Sequence, residues 1–117
     1  MVWYEDLYVG ESILHKTKKI KWKILHNAGQ PSVYVITLAS NEKNLLDIIP
    51  SRELMQKGYP KKNLFVVGLA KGYDEAIEVA ASIVDEVYRR TGTFAVRAYF
   101  DEKRRRKREE CQSYCSY

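Results

Sequence analysis

Cysteine and histidine are scarce in this chain, two of each in 117 residues. Cys111 and Cys115 both fall in the last seven residues, whereas a secreted domain held by disulfides spreads them through its core. Reduced thiols are expected. Their i, i+4 spacing supplies at most half of a zinc site, and His15 and His26 lie far off in sequence, so neither a metal nor a cofactor is expected. No nucleophile–base pair stands out and no histidine falls at the end of an expected strand, which argues away from an enzyme. No apolar run approaches the ~18–20 residues that cross a bilayer. The opening Met1-Val2-Trp3-Tyr4-Glu5-Asp6 has neither the basic start nor the apolar middle of a secretory signal. The expectation is a cytoplasmic protein without a membrane partner.

What remains is ordinary globular usage, 45% hydrophobic and 30% charged, at a length suited to one core. We expect one α/β domain over residues 1–100 and a basic C-terminal tail over 101–117. The net charge of +5 is unevenly spread: the tail holds six basic and four acidic residues, and five lysines crowd into Lys16–Lys23. Residues 74–86 hold Asp74, Glu75, Glu78, Asp85 and Glu86 against no basic residue. A polarised surface follows, which bears on partners and not on fold.

Two continuous apolar runs read as strands buried on both faces and central in a sheet, residues 32–39 and 64–70. Between them, Leu45, Leu46, Ile48 and Ile49 are apolar, but Pro50 interrupts a helix. A partly helical crossover is expected there, with one or two turns over 51–57. Residues 73–91 carry apolar side chains on one broad face and polar ones at 3.6-residue spacing on the other. Asp74 is placed to cap this helix, Arg89 and Arg90 suit its last turn, and Gly92 ends it. Phe94, Val96, Ala98 and Phe100 alternate with Ala95, Arg97 and Tyr99, as in a strand with one wet face. Residues 64–100 then form a right-handed parallel strand–helix–strand unit.

Residues 12–27 fit two templates. As a helix, Ile13, Thr17, Ile20 and Ile24 form a core stripe. As a strand, Ile20, Trp22 and Ile24 alternate with lysines. Length and the helix-forming lysines favour the helix. Leu7-Tyr8-Val9 reads as a short edge strand. The expected fold is a three- to four-stranded, mostly parallel sheet with one βαβ unit and an N-terminal lysine-rich helix.

Three features bear on function. On the helical reading, His15, Lys19, Trp22 and His26 share an exposed strip beside Lys16 and Lys23, where lysines can neutralise phosphates and an aromatic ring can stack on a base. The plainer reading is a solvated face with Trp22 packed against the domain or a second subunit. The Gly68–Asp74 loop joins a buried strand to a helix N-terminus, a place where backbone N–H groups hold anions, and Gly68, Lys71 and Gly72 are the candidates. It matches neither standard glycine-rich phosphate motif. The plainer reading, Gly68 for close packing and Gly72 for a tight turn, is favoured, and Asp74, Glu75 and Glu78 oppose an anion. Lys103, Arg104, Arg105, Arg106, Lys107 and Arg108 form an unbroken basic run, suited to nucleic acid or to nothing beyond solvent.

Leu7–Ser12, Gly68–Ala76 and Glu86–Gly92 resemble segments of an uncharacterised family of small bacterial α/β proteins. The resemblance spans about residues 7–100 and implies no activity or site. Two functional readings stand. One is a binding or accessory protein, monomer or homodimer, that presents Lys16–Lys23 and the 103–108 run to nucleic acid or an acidic protein. The other is a small-ligand or phosphate-binding domain, with or without catalysis, centred on the Gly68–Asp74 loop.

Overall fold

In a computed structural model, residues 2–26, 32–38, 45–54 and 64–115 are described, with side chains through residue 106 in the last segment. Four strands form one mixed sheet in the order β1-β4-β2-β3: β1 is Val2–Val9, β2 Val33–Leu38, β3 Leu46–Pro50 and β4 Phe65–Lys71. Four α-helices accompany it, α1 Thr17–Leu25, α2 Ser51–Leu54, α3 Tyr73–Thr91 and α4 Val96–Cys115.

The two expected central strands are central. Phe65 through Ala70 of β4 are all buried, as a strand covered on both faces must be. The sheet, however, is mostly antiparallel: β2 runs antiparallel to both β3 and β4, and only β1 pairs with β4 in parallel. The expected βαβ unit is absent because residues 96–100 are the first turns of α4 and not a strand. Phe94 and Ala98, two of the four residues assigned to the buried side of that strand, are exposed, while Val96, Tyr99 and Phe100 are buried. With the half-buried Lys103 and Arg104 they fall at i, i+3, i+4, i+7 and i+8, a helical stripe.

Residues 46–50 correct a second expectation. They form a strand and not part of a helical crossover, and Pro50 is tolerated because β3 is an edge, where a missing N–H breaks no central ladder. Ser51–Leu54 is helical; residues 55–57 and Ala39 lie outside the described residues. The chain also opens on a strand and not on a lysine-rich helix. The lysines of residues 12–27 follow β1 and divide between a 3₁₀ helix, Glu11–Lys16, and α1.

The sheet separates two cores. On one face Ile13, Ile20 and Ile24 from the 3₁₀ helix and α1, with Leu54 of α2, pack on Val35, Val66 and Leu69. On the other, Ala76, Val79, Ile83 and Val87 of α3, with Val96, Tyr99 and Phe100 of α4, pack on Ile36, Phe65, Val67 and Ala70. The expected α3 spans 73–91 and closes on Gly92 in the left-handed conformation, φ +74°, where glycine carries no Cβ penalty. Its N-cap is Gly72 and not Asp74, which sits inside the first turn.

The α4 stripe is anchored by aromatic packing. The Phe100 ring meets Tyr4 edge-on at 4.9 Å and lies 6.2 Å from Phe65. Phe100 is fully buried, so Phe100→Ala is expected to cost about 3–5 kcal/mol of unfolding free energy. Urea denaturation measures this, and an unchanged midpoint would show that α4 adds nothing to the core.

Candidate lysine cleft

The 3₁₀ helix and α1 lie against the sheet with their isoleucines inward, which leaves the lysines of the same turns along the near edge. Lys16, Lys19 and Lys23 are spaced i, i+3 and i+7, so they stack along one side of this helical segment. On the sheet side, β4 ends at Lys71. These four lysines line one cleft of about 190 Å³ together with Ser12 and Ser32, over a floor of Ile13, Ile20 and Val33. Lys71 and the α1 lysines came from two separate sequence features, and the fold brings them together.

None of the four ammonium groups forms a salt bridge with a described residue, unlike Arg89, Arg90 and Arg106, which pair with Asp85, Glu86 and Glu102. Like charges at i, i+4 on a helix cost roughly 0.2–0.5 kcal/mol per pair, as Lys19 and Lys23 do here. An anion in the cleft would relieve that repulsion.

One carboxylate fixes the cleft's two walls to each other. Glu75 accepts from the Ser12 hydroxyl, 2.8 Å to each oxygen, and from the Lys71 backbone N–H at 2.9 Å. It reaches them by passing over Gly10, where a Cβ would fall inside the carboxylate. The hydrogen bond from Lys71 N–H, and then those from Ser12, hold the Glu75 carboxyl below the ordinary carboxylate range.

The remaining candidates are placed as follows. Trp22 is 58% exposed and stacks on His26, ring centroids 4.2 Å apart and planes at 23°. His26 Nδ1 lies 2.8 Å from the Trp22 carbonyl oxygen, which fixes that ring. His15 is exposed in the 3₁₀ helix. Gly68 is a packing residue, since a Cβ there would approach the Tyr8 carbonyl oxygen to 2.9 Å. Gly72 holds φ +80° and donates its N–H to Ser32 O at 2.7 Å, so it shapes the turn beside the cleft.

The basic run lies elsewhere. Lys103 sits over the Tyr99 ring at 4.9 Å and Arg104 over Phe65 at 4.6 Å, both on the α4 side of the sheet. Interaction with Tyr99, and with Tyr4, raises the Lys103 pKa. Arg105 and Arg106 are exposed, the latter paired with Glu102. Lys107 and Arg108 lie in α4, their side chains outside the described set, as are those of Cys111 and Cys115. Arg104 borders the first residue of β4 and Lys71 ends the same strand, so Lys103 and Arg104 and the cleft occupy opposite faces and opposite ends of the sheet.

Sequence reasoning missed Ser12, Ser32 and Glu75. Ser12 precedes Lys16 by one helical turn, a spacing that could have drawn attention to it. The contacts of Ser32 and Glu75 span segments far apart in the chain and carry no local signal. Among the described residues, no group of three or more His, Cys, Asp or Glu is placed to hold a metal ion, and no helix is long and apolar enough to cross a membrane. No protein-family model, curated protein or solved structure matches the chain.

The depressed pKa of Glu75 makes a signed prediction. A carboxylate whose folded pKa is lowered contributes stability above its ordinary value of 4.5, and that stability is lost as pH falls through the folded pKa. Wild type should exceed Glu75→Gln by up to about 1 kcal/mol at neutral pH, a modest figure because solvent screens the group. The gap should close in acid. Paired denaturation curves at pH 7 and pH 3 measure it, and a gap that persists at pH 3 would remove the carboxylate charge from the explanation.

Proposed function

We propose that this protein binds phosphorylated ligands in the cleft formed by Lys16, Lys19, Lys23 and Lys71. The observation that carries the reading is the convergence of these lysines, from segments 48 residues apart at the nearest, with two hydroxyls and no acidic side chain among the lining residues. Ammonium groups act as point charges for phosphate oxygens, and the Ser32 hydroxyl is a further donor to them, that of Ser12 being already given to Glu75. The role is one of binding: the cleft contains no histidine, cysteine or carboxylate to serve as base or nucleophile.

This reading draws on both sequence expectations. It takes the lysine segment from one and Lys71 from the other, while Gly68 serves packing and Gly72 shapes the turn. Nucleic acid or an acidic protein spread over both the cleft and the 103–108 run is less well supported. The described basic residues do not form one surface, and Lys103 and Arg104 are already engaged with aromatic rings.

Pyrophosphate should raise the melting temperature and titrate calorimetrically, with affinity falling as salt is added. Lys19→Ala and Lys23→Ala should each weaken binding about fivefold, near 1 kcal/mol, whereas Arg105→Ala/Arg106→Ala should leave it unchanged. Equal losses from the two sets, or duplex DNA binding that depends on Arg105 and Arg106, would move the site to α4.

A further inference from the structure

The cleft is too small to enclose a ligand of nucleotide size. Its volume of about 190 Å³ falls below the roughly 300–1,000 Å³ of sites that enclose a drug-sized ligand. It accommodates the phosphate groups, and whatever they are attached to must stand outside. Four ammonium groups in so small a space, none in a salt bridge with a described residue, match more negative charge than one phosphate monoester carries, which points to two linked phosphates.

Outside the rim stands an aromatic surface that nothing in the fold explains. Trp22 and His26 both lie outside the cleft lining, and their rings stack nearly parallel. The indole is 58% exposed, although tryptophan is usually well buried. The residue sits at i+3 from Lys19 and next to Lys23. Residues at i and i+3 on a helix place their Cβ atoms about 5–6 Å apart, so the ring and the phosphate-facing lysines are separated by one step across the helix surface. A pentose can bridge such a step.

We infer that the ligand is a nucleoside diphosphate, with its phosphates among Lys16, Lys19, Lys23 and Lys71 and its base on the exposed face of the Trp22–His26 stack. This rests on the phosphate-binding reading above and adds the identity of the group beyond the phosphates. The His26 ring, held against the Trp22 carbonyl, backs the indole so that the platform is already formed when a base arrives, which lowers the ordering cost of stacking. A single base is favoured over a strand of nucleic acid because Lys103 and Arg104 of the basic run pack on aromatic rings of the opposite face of the sheet and could not follow a chain leaving the cleft.

The test titrates the full-length protein with adenosine diphosphate and, separately, with pyrophosphate. Stacking of a base on an aromatic side chain is worth about 1–3 kcal/mol, so the nucleotide should bind about fivefold to about 150-fold tighter than pyrophosphate. Trp22→Ala should abolish that advantage while leaving pyrophosphate affinity unchanged, and Trp22→Phe should keep most of it. Because Trp22 is exposed, both variants should retain the wild-type circular dichroism spectrum. Equal affinities for the two ligands in wild type, or an advantage that survives Trp22→Ala, overturns the inference and leaves the phosphate site standing. Failure of both ligands to bind removes the phosphate site as well. Tighter binding of a single-stranded oligonucleotide that adenosine diphosphate cannot displace would replace the nucleotide with a strand.

Discussion

The structure depends on how closely β1 and β4 approach at Gly68. Any side chain there would press on the Tyr8 carbonyl oxygen at 2.9 Å, with Val79 of α3 at 3.2 Å and Ile36 of β2 at 3.3 Å on its other contacts. One missing Cβ therefore lets a neighbouring strand, a helix and a second strand close on the same point. The register of β4 shifts around this position on both sides, between Trp3 and Tyr8 of β1 and between Ile36 and Thr37 of β2. An irregularity of this kind re-aims side chains. Past it, Leu69 faces the α1 core and Ala70 the α3 core, and Lys71 emerges at the edge where the α1 lysines stand.

The second organising feature is the use of charge against aromatic rings on the α4 side. Tyr4, Tyr8, Phe65, Tyr99 and Phe100 pack mostly edge to face, an arrangement worth about 0.5–1.5 kcal/mol per pair beyond the area buried. Lys103 and Arg104 close this cluster from above, each contributing on the order of 0.5–1 kcal/mol at a partly exposed site. The Tyr8 hydroxyl donates to Glu86, and burial first, then that carboxylate, raises the tyrosine pKa. The basic run that reads as a tail thus belongs to α4, and its first two residues serve the core.

How much of this was legible depends on whether the signal is local. The buried strands at 33–38 and 65–71 and the helix at 73–91 announce themselves by continuous apolar character, 3.6-residue period and the Gly92 stop. Residues 94–100 misled because the window ended at Phe100, where the basic run begins. Over seven residues period 2 and period 3.6 both fit, and only Lys103 and Arg104, amphipathic enough to pack by their stems, reveal the helix. Leu46–Pro50 misled because proline was weighed against a helix and not as a residue an edge strand accepts. The lysines were visible as a group, but the cleft was not. Its second wall is Lys71, placed there by strand order and by a carboxylate bridge to Ser12 that no spacing rule encodes.

That bridge also explains how a cleft of four cations can adjoin the acidic N-terminus of α3. The outer face of α3 is the most negative stretch of the chain, and its charges would quench the lysines if they faced them. Asp85 and Glu86 are paired with Arg89 and Arg90 in the last turns. Glu75, which contacts two of the lining residues, is turned onto Ser12 and the Lys71 backbone N–H. Its charge holds two walls together through hydrogen bonds, and of the four ammonium groups it interacts with that of Lys71. The field inside the cleft is therefore a consequence of hydrogen-bond geometry as much as of composition. Any change that releases Glu75 acts twice, loosening the walls and turning a carboxylate toward the space an anion would occupy.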